Sequence, residues 1–521
     1  MQSVLMTTTS NVVIANCHCG RIQGSRVGEV LVFRGIPYAM PPVGARRFCP
    51  PEAVTPWSGV QDATAFGSIA PQWPTPLEEL HGTTKLPQSE DCLTLNVWTP
   101  GCDAARRPVL VWIHGGSFLT GCGRASIYDG ASFAAHEDVV LVTINYRLNA
   151  FGFLHLAGLI EHEDGTNQGL LDQVQALVWV RDNIHALGGD PDNVTIAGES
   201  AGAMSVGTLL GMPRAAGLFQ RAILQSGACA NSMTVARASE FTIALFAAAG
   251  LQTNEAGLAK LRAMNPDEML TLTGAVLQQR AQSRSSADLG FDLGPVVDGV
   301  VLPQPPLTAV ASGLSRDVPL MIGTNADELE VLQIELPSFY AFDQQELQRR
   351  FAIVFGARHE QARQTYLSIT AAGRNPWTQV DGDRFFWWPA MQLAEAQHQA
   401  GGAAWMYLFK YPARGFGGEC GAFHLFEVPF VFNTLERGIA VPALAGATAA
   451  DHALARAMQH TWATFARTGN PNHASLPVWE PYQPQTRRTL LFDQQITIAT
   501  DPDRDRRLLM NELFSPDRIQ T

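Results

Sequence analysis

Residues 193–202 read NVTIAGESAG, and few stretches of ten residues restrict a fold as much. Val194–Ala197 is a short β-prone run, Gly198-Glu199-Ser200-Ala201-Gly202 follows it, and the sequence then turns apolar and helix-like. A serine at the tip of such a strand-to-helix turn needs a strained backbone. It also tolerates no side chain two residues to either side, where the neighbouring strand or helix would be struck. The turn holds the hydroxyl out at the end of a sheet, which makes Ser200 the leading candidate for an activated nucleophile. The pentapeptide alone is a weak signal, because a chain with 46 glycines in 521 residues meets the pattern by accident too. The competing reading is a glycine-rich turn with a capping serine, and the surrounding sequence has to decide between them.

Near-continuous apolar runs recur at Pro108–Ile113, Val139–Asn145, Val194–Ala197, Arg221–Gln225, Val318–Ile322 and Ala404–Tyr411. Such runs suit central strands covered on both faces. Between two of them, Leu170, Leu171, Val174, Leu177, Val178, Ile184 and Leu187 recur at helical spacing and stop at Gly188-Gly189, which predicts a helix over 169–187. Strands alternating with helices imply an α/β fold with a central, mostly parallel sheet flanked by helices, whose ligands bind at the carboxyl ends of the strands. The chemistry-bearing groups fall at those ends. His114-Gly115-Gly116-Ser117 follows the first run, Ser200 the third, Ser226-Gly227 the fourth, Thr324–Glu328 the fifth, and His424 comes after the sixth. No linker, repeat or low-complexity segment interrupts the chain, so the expectation is one unit over 1–521. It carries a Pro- and Gly-rich section of small antiparallel strands at about 10–98, and helical insertions at about 228–279 and 342–399 that roof the site.

A formal net charge of −12 argues against nucleic acid or an anionic membrane surface as partner, since both call for basic patches. Neutral or cationic small molecules suit the chain better. Its opening twenty residues lack a basic region followed by a sustained apolar one, and no apolar run reaches transmembrane length, which predicts a cytoplasmic protein. The eight cysteines, from Cys17 to Cys420, show no repeated spacing and do not form a disulfide framework. Cys17-His18-Cys19 is too tight and too poor in ligands for a zinc site, and a β-hairpin is the better reading. Neither metal nor cofactor is expected.

A serine hydroxyl is a poor nucleophile at neutral pH; it needs a histidine to take its proton and a carboxylate to hold that histidine in the right tautomer. In strand-turn-helix enzymes of this kind the chain order is Ser, acid, His, and Ser200, Glu328 and His424 satisfy it. The residues themselves do not separate Glu328 from its neighbour Asp327, and other acids compete. His424, in GAFHLFEVPFVF, follows a predicted sheet strand, whereas His398, His452 and His460 lie on helical or polar surface patterns; the choice stays open on these grounds. The negative oxygen of a tetrahedral intermediate needs backbone N–H donors. Gly115 and Gly116 would expose theirs, and Ala201 would add a third at the positive end of its helix.

Taken together these segments resemble the type-B carboxylesterase family, which includes para-nitrobenzyl esterases, animal carboxylesterases and cholinesterases. The resemblance runs through FRGIPYA from Phe33, EDCLTLNVW from Glu90, HGGSF from His114, NYRLNAFGFL from Asn145, NQGLLDQ from Asn167, GGDPDNVTIAGESAG from Gly188, LQSG from Leu224, GAFHLFEVPFVF from Gly421 and FARTGNPN from Phe465. It implies an α/β-hydrolase fold whose helical insertions form a gorge and lid, and cleavage of a small or medium, largely apolar ester through an acyl-enzyme. It also implies Glu328 as the acid, His424 as the base, Ser226 as a hydroxyl near the acid, Glu199 as a buried carboxylate tuning the site, and ion pairs Arg34–Glu90 and Arg147–Asp172. Ala70 stands where secreted relatives have the cysteine that pairs with the position of Cys92, which points to a bacterial-type, intracellular enzyme. Trp73 is displaced from the choline-binding tryptophan of cholinesterases, which argues against that specialisation. Amide or carbamate hydrolysis by the same triad is the nearest rival, and a non-catalytic adhesion homologue the remote one. Phe291, Phe386, Trp387 and Trp388 are candidates for lining an apolar pocket, with a role in the core equally open. The sequence names neither the ester nor the oligomeric state.

Overall fold

Alternation within the apolar runs, rather than hydrophobicity alone, sets the architecture. Val109, Val111 and Ile113 pack into one core while Leu110 and Trp112 pack into another on the opposite face of the same strand, as the two-residue period of a strand dictates. The neighbouring runs divide the same way: Val140, Val142 and Ile144 against Val139 and Leu141, and Ala404 and Met406 against Trp405, Tyr407 and Phe409. The layer between those two cores is a sheet, seen in a computed structural model that describes residues 11–76, 83, 85–161, 163, 165–285, 288, 290–332, 340–371 and 374–514.

In chain order the strands are β1 (Val12–Cys17), β2 (Gly20–Val27), β3 (Val30–Pro37), β4 (Val60–Asp62), β5 (Thr94–Thr99), β6 (Arg107–Ile113), β7 (Val140–Ile144), β8 (Gly189–Glu199), β9 (Arg221–Gln225), β10 (Met233–Thr234), β11 (Val296–Val297), β12 (Leu320–Asn325), β13 (Ala404–Phe409), β14 (Arg488–Phe492) and β15 (Thr497–Thr500). Among the described residues they form a 13-stranded sheet in the order β1-β2-β3-β5-β7-β6-β8-β9-β12-β13-β14-β15, with β4 beside β2, and β10 pairs separately with β11. From β7 through β14 every pairing is parallel. Apart from β4, which lies parallel to β2, the N-terminal strands are antiparallel, and through β3–β5 and β5–β7 they continue the central sheet instead of lying beside it.

The helix Gln168–Asn183 tightens into a 3₁₀ turn, Ile184–Leu187, and ends at Gly188 with φ +79°, where the glycine pair marked a stop. The helices Val235–Ala248, Glu255–Ala263 and Pro266–Gln282 form one excursion after β9. Gln344–Phe355, His359–Ile369, Pro376–Gly382 and Trp388–Gln399 form a second between β12 and β13. Within the second, Asp383–Trp387 is a π-turn. The C-terminal helix Arg504–Leu513 is bolted to that turn: Arg506 donates from Nη1 to Asp383 Oδ1 at 2.9 Å and lies over the ring of Trp387. Among the described residues no helix is long and apolar enough to cross a membrane.

One expected ion pair forms and the other does not. Arg147 and Asp172 meet in a buried two-pronged pair, Nε to Oδ2 at 2.8 Å and Nη2 to Oδ1 at 2.7 Å. Glu90, however, pairs with Arg47, whose Nε donates to Glu90 Oε2 at 2.7 Å. Arg34 stands with its guanidinium 5.0 Å from the ring centroid of Phe66 and donates to the carbonyl of Thr64. Arg47 wins because its other donors also find the carbonyls of Leu261 and Met264, so the whole guanidinium is satisfied inside the protein.

Candidate active site

Ser200 takes φ +56° and ψ −125° between β8 and the helix Ala201–Leu210, a conformation that costs an L-residue energy and persists only where its surroundings enforce it. The enforcement is visible: Ser200 N donates to the carbonyl of Gln225 at 2.9 Å, and the Ser200 carbonyl accepts from Met204 N. The flanking glycines are steric requirements. A Cβ on Gly202 would lie 2.0 Å from the carbonyl oxygen of Ile113, and one on Gly198 would lie 2.5 Å from the backbone of Gly202.

Beyond the end of β6, the segment His114–Phe118 folds back toward this turn. A Cβ on Gly115 would come within 3.0 Å of Ser200 Cβ, and one on Gly116, at φ +107°, within 2.2 Å of the Thr120 carbonyl. Ser117 and Phe118 also take positive φ. The loop is pinned through His114, whose ring stacks on Tyr146 with centroids 4.5 Å apart, while the Tyr146 hydroxyl donates to the His114 carbonyl at 2.9 Å. Burial pushes the His114 imidazole down to about 4, so it is neutral and structural. Ala201, fully buried, begins the helix whose amino end faces this loop.

The strand ends supply the remaining groups. His424 Nδ1 and Glu328 Oε2 lie 2.7 Å apart across 96 residues of sequence, and Glu328 Oε1 accepts from the backbone N–H of Asn325 at 2.8 Å. Asp327 is turned away, toward the loop that carries the histidine, where its Oδ2 accepts from Ala422 N. Of the two adjacent acids, Glu328 meets the imidazole and Asp327 does not. His452 and His460 approach Glu436 and Glu137 instead, and His398 lies at the end of the helix Trp388–Gln399. Ser226, at φ +49° after β9, is fully buried, and its hydroxyl makes no hydrogen bond to Glu328. Its neighbour Gly227 packs on the Ser200 carbonyl.

Glu199, next to the serine and 1% exposed, brings Oε1 to 3.0 Å from His424 Nε2. The contact is close in distance but is not aligned as a hydrogen bond. Burial holds Glu199 well above the ordinary carboxylate range, Glu427 and Glu328 add to the effect, and His424 opposes it. For His424, burial lowers the imidazole, but Glu199, Glu328 and Glu427 outweigh burial and raise it to about 9. Both shifts describe one contested proton: when it sits on Glu199, the imidazole loses its strongest anionic neighbour. Glu427 was not singled out by sequence reasoning. It is buried between Gln225 Nε2 at 3.0 Å and Asn325 Nδ2 at 2.6 Å, and the signal for it was a lone carboxylate inside the apolar run HLFEVPFVF.

The aromatic candidates divide. Phe386 lies against the His424 ring with centroids 4.6 Å apart, and a chain of rings runs outward from it through Phe385 and Phe291 to Phe118. Phe291 and Trp388 also line a cleft of about 910 Å³ with Met233, Arg384 and Phe514. Trp387, equally buried, lines a small cavity with Asn325, Glu328 and Arg506 behind the acid.

A largely parallel sheet with a strained serine at the end of a central strand, and an acid and histidine delivered from later strand ends, defines an α/β-hydrolase. A profile of the carboxylesterase family matches residues 10–508, and the chain belongs to that family, as a serine carboxylic ester hydrolase. It is 40% identical over 95% of its length to the para-nitrobenzyl esterase of Bacillus subtilis (strain 168), covering 97% of that protein. To the phenmedipham hydrolase of Pseudarthrobacter oxydans it is 34% identical over 94% of its length, covering 97% of that protein. Among solved structures, a thermophilic para-nitrobenzyl esterase superposes with a TM-score of 0.85 at 36% identity, over 96% of this chain and 99% of that one.

Proposed function

We propose that the chain hydrolyses small or medium, largely apolar carboxylic esters through an acyl-enzyme on Ser200. The observation that carries the reading is the 2.7 Å contact between Glu328 and His424 Nδ1, which supports a proton on Nδ1 and leaves Nε2, 3.0 Å from Oε1 of Glu199 beside the serine, as the basic nitrogen. His424 takes the Ser200 proton as the hydroxyl attacks the ester carbonyl. The oxyanion is received by the N–H groups of Gly115, Gly116 and Ala201, the alcohol leaves with the proton from His424, and water repeats the sequence on the acyl-enzyme. Glu328 orients the imidazole and stabilises its cation, while Glu199 sets how tightly that cation is held. No step calls for a metal or cofactor. The apolar arms of the substrate lie against Phe118, Phe291, Phe385 and Phe386, with the cleft beyond Phe291 taking the distal part.

The test is pre-steady-state release of nitrophenol from a short and a medium-chain para-nitrophenyl ester, with Ser200→Ala alongside. A burst or turnover that falls by at least about 10³-fold in the variant is expected. Wild-type protein that neither turns over an ester nor becomes labelled by an active-site phosphonate refutes the reading in favour of a non-catalytic homologue. Carbamate cleavage by the same groups is a second reading, favoured by the relative named for phenmedipham, a carbamate; rates on an aryl carbamate and the matching aryl ester separate the two. We also place the protein in the cytoplasm, a reading supported by the unbridged thiols of Cys17, Cys19, Cys49, Cys92, Cys102 and Cys229 and tested by cell fractionation.

A further inference from the structure

The carboxylate that the acid's neighbour turns away from the imidazole is fully employed. Asp327 N donates to the Ala422 carbonyl at 2.9 Å, and Ala422 N donates to Asp327 Oδ2, also at 2.9 Å. Two further bonds run alongside: His424 N to the Glu328 carbonyl at 2.9 Å, and Asn325 Nδ2 to the Phe423 carbonyl at 2.7 Å. Backbone 325–328 and loop 422–424 are therefore laced together in a fixed register, with the acid at one end and the base at the other. The fit leaves no slack. Gly421 sits at φ +58°, and a Cβ there would lie 2.2 Å from Asp327 Oδ2. The other oxygen, Oδ1, is held from the second helical excursion by Arg374 Nη1 at 3.1 Å and Gln379 Nε2 at 3.2 Å. Arg374 Nη2 also reaches the Gly418 carbonyl at 3.3 Å, at the start of the same loop.

We propose that Asp327 is a positioning residue for the hydrolytic reaction, a latch that registers the His424 loop against Glu328, and that Arg374 links this latch to the helical roof over the site. The proposal rests on the serine-hydrolase reading above. The latch acts on geometry alone: Asp327 touches neither the imidazole nor any reacting atom in this arrangement. Its loss lets loop 421–424 drift while the sheet beneath stays intact, and a displacement of the base of about 1 Å is enough to cost about 100-fold in rate.

The test compares Asp327→Ala, Asp327→Asn and Arg374→Gln with the wild type by two readouts. In steady-state hydrolysis of para-nitrophenyl acetate, Asp327→Ala is expected to lose about 10- to 100-fold in kcat with little change in KM. Asp327→Asn should recover most of the rate, because an amide oxygen still accepts from Ala422 N, and Arg374→Gln should fall between. The second readout needs no turnover: the far-downfield proton resonance of His424 Nδ1–H bound to Glu328, identified by its absence in His424→Gln. Asp327→Ala should broaden or abolish it with the thermal melt preserved, and Asp327→Asn should keep it. The latch is overturned if Asp327→Ala retains both the resonance and the wild-type kcat, or if kcat falls only in proportion to a loss of folded protein. Because the resonance reports the histidine directly, a wild type that shows it without hydrolysing any ester would count against the esterase reading and leave the latch measurable.

Discussion

Replacing Glu199 by Gln keeps the bulk of the side chain and removes its charge, so it isolates what that carboxylate does to the base. With Oε1 3.0 Å from His424 Nε2, unit charges at an effective dielectric of about 20 interact by about 5.5 kcal/mol, an upper bound equivalent to about 4 pH units. Close opposite charges move a titration by about 1–3 units. Burial raises Glu199 well above the ordinary carboxylate range, which weakens its hold as an anion, so the lower part of that range applies, about 1–2 units. The sign follows from the state the mechanism needs. In the proposed mechanism His424 acts as a base when neutral, its folded value is raised to about 9, and kcat/KM is therefore expected to climb with pH through that value. Removing the anion destabilises the imidazolium and moves the acid limb to lower pH. The same free energy is lost from the imidazolium in the transition state, so the plateau falls by up to about 10- to 100-fold as the limb moves. The assay is kcat/KM for an acetate ester by pH-stat, which reports the free enzyme. An acid limb that stays in place, or moves upward, refutes the assignment of Glu199 as the main force holding the proton.

Gly202→Ala, whose Cβ would sit 2.0 Å from the Ile113 carbonyl oxygen, is expected to destabilise the fold by about 2–4 kcal/mol; a wild-type thermal melt would contradict this. Phe291→Ala removes the ring standing between the 910 Å³ cleft and the rings that reach His424. It should raise the kcat/KM ratio of a decanoate to an acetate ester by about 10-fold or more, and an unchanged ratio would place the distal arm elsewhere.

What the sequence made legible was what short-range geometry enforces. Gly198, Ser200 and Gly202 could be read because each is dictated by neighbours within the turn or the adjacent strand. The runs that became β6 to β9, β12 and β13 could be read because burial on both faces leaves few polar positions, such as Thr143, Thr195 and Gln225, among the apolar ones. Other features depend on contacts that no local pattern encodes. From the residues alone Asp327 and Glu328 were equivalent; the Asn325 N–H and the Ala422 N–H decide between them. Arg34 was a plausible partner for Glu90 until the carbonyls of Leu261 and Met264, more than 200 residues away, turned out to complete the surroundings of Arg47. The short strands β14 and β15 escaped notice because RTLLF and TIAT are brief and lie among polar residues, and the sheet edge they join is what makes them strands.

The π-turn at Asp383–Trp387 has a consequence for how this family can vary. Such a turn is an α-helix carrying one residue too many, and within it Phe386 meets the imidazole while the adjacent Trp387 lies under Arg506. Loss of a single codon there would remove the surplus and restore the regular winding, leaving the helices on either side nearly in place with one position fewer between them. Phe386 and Trp387 would then compete for places that each now fills alone, one against His424 and one under Arg506. Substitutions can adjust the side chains at this point one at a time, but the length of the segment is tied at once to the base on one side and to the C-terminal helix on the other. Drift in sequence is therefore open to this stretch, while drift in length is closed.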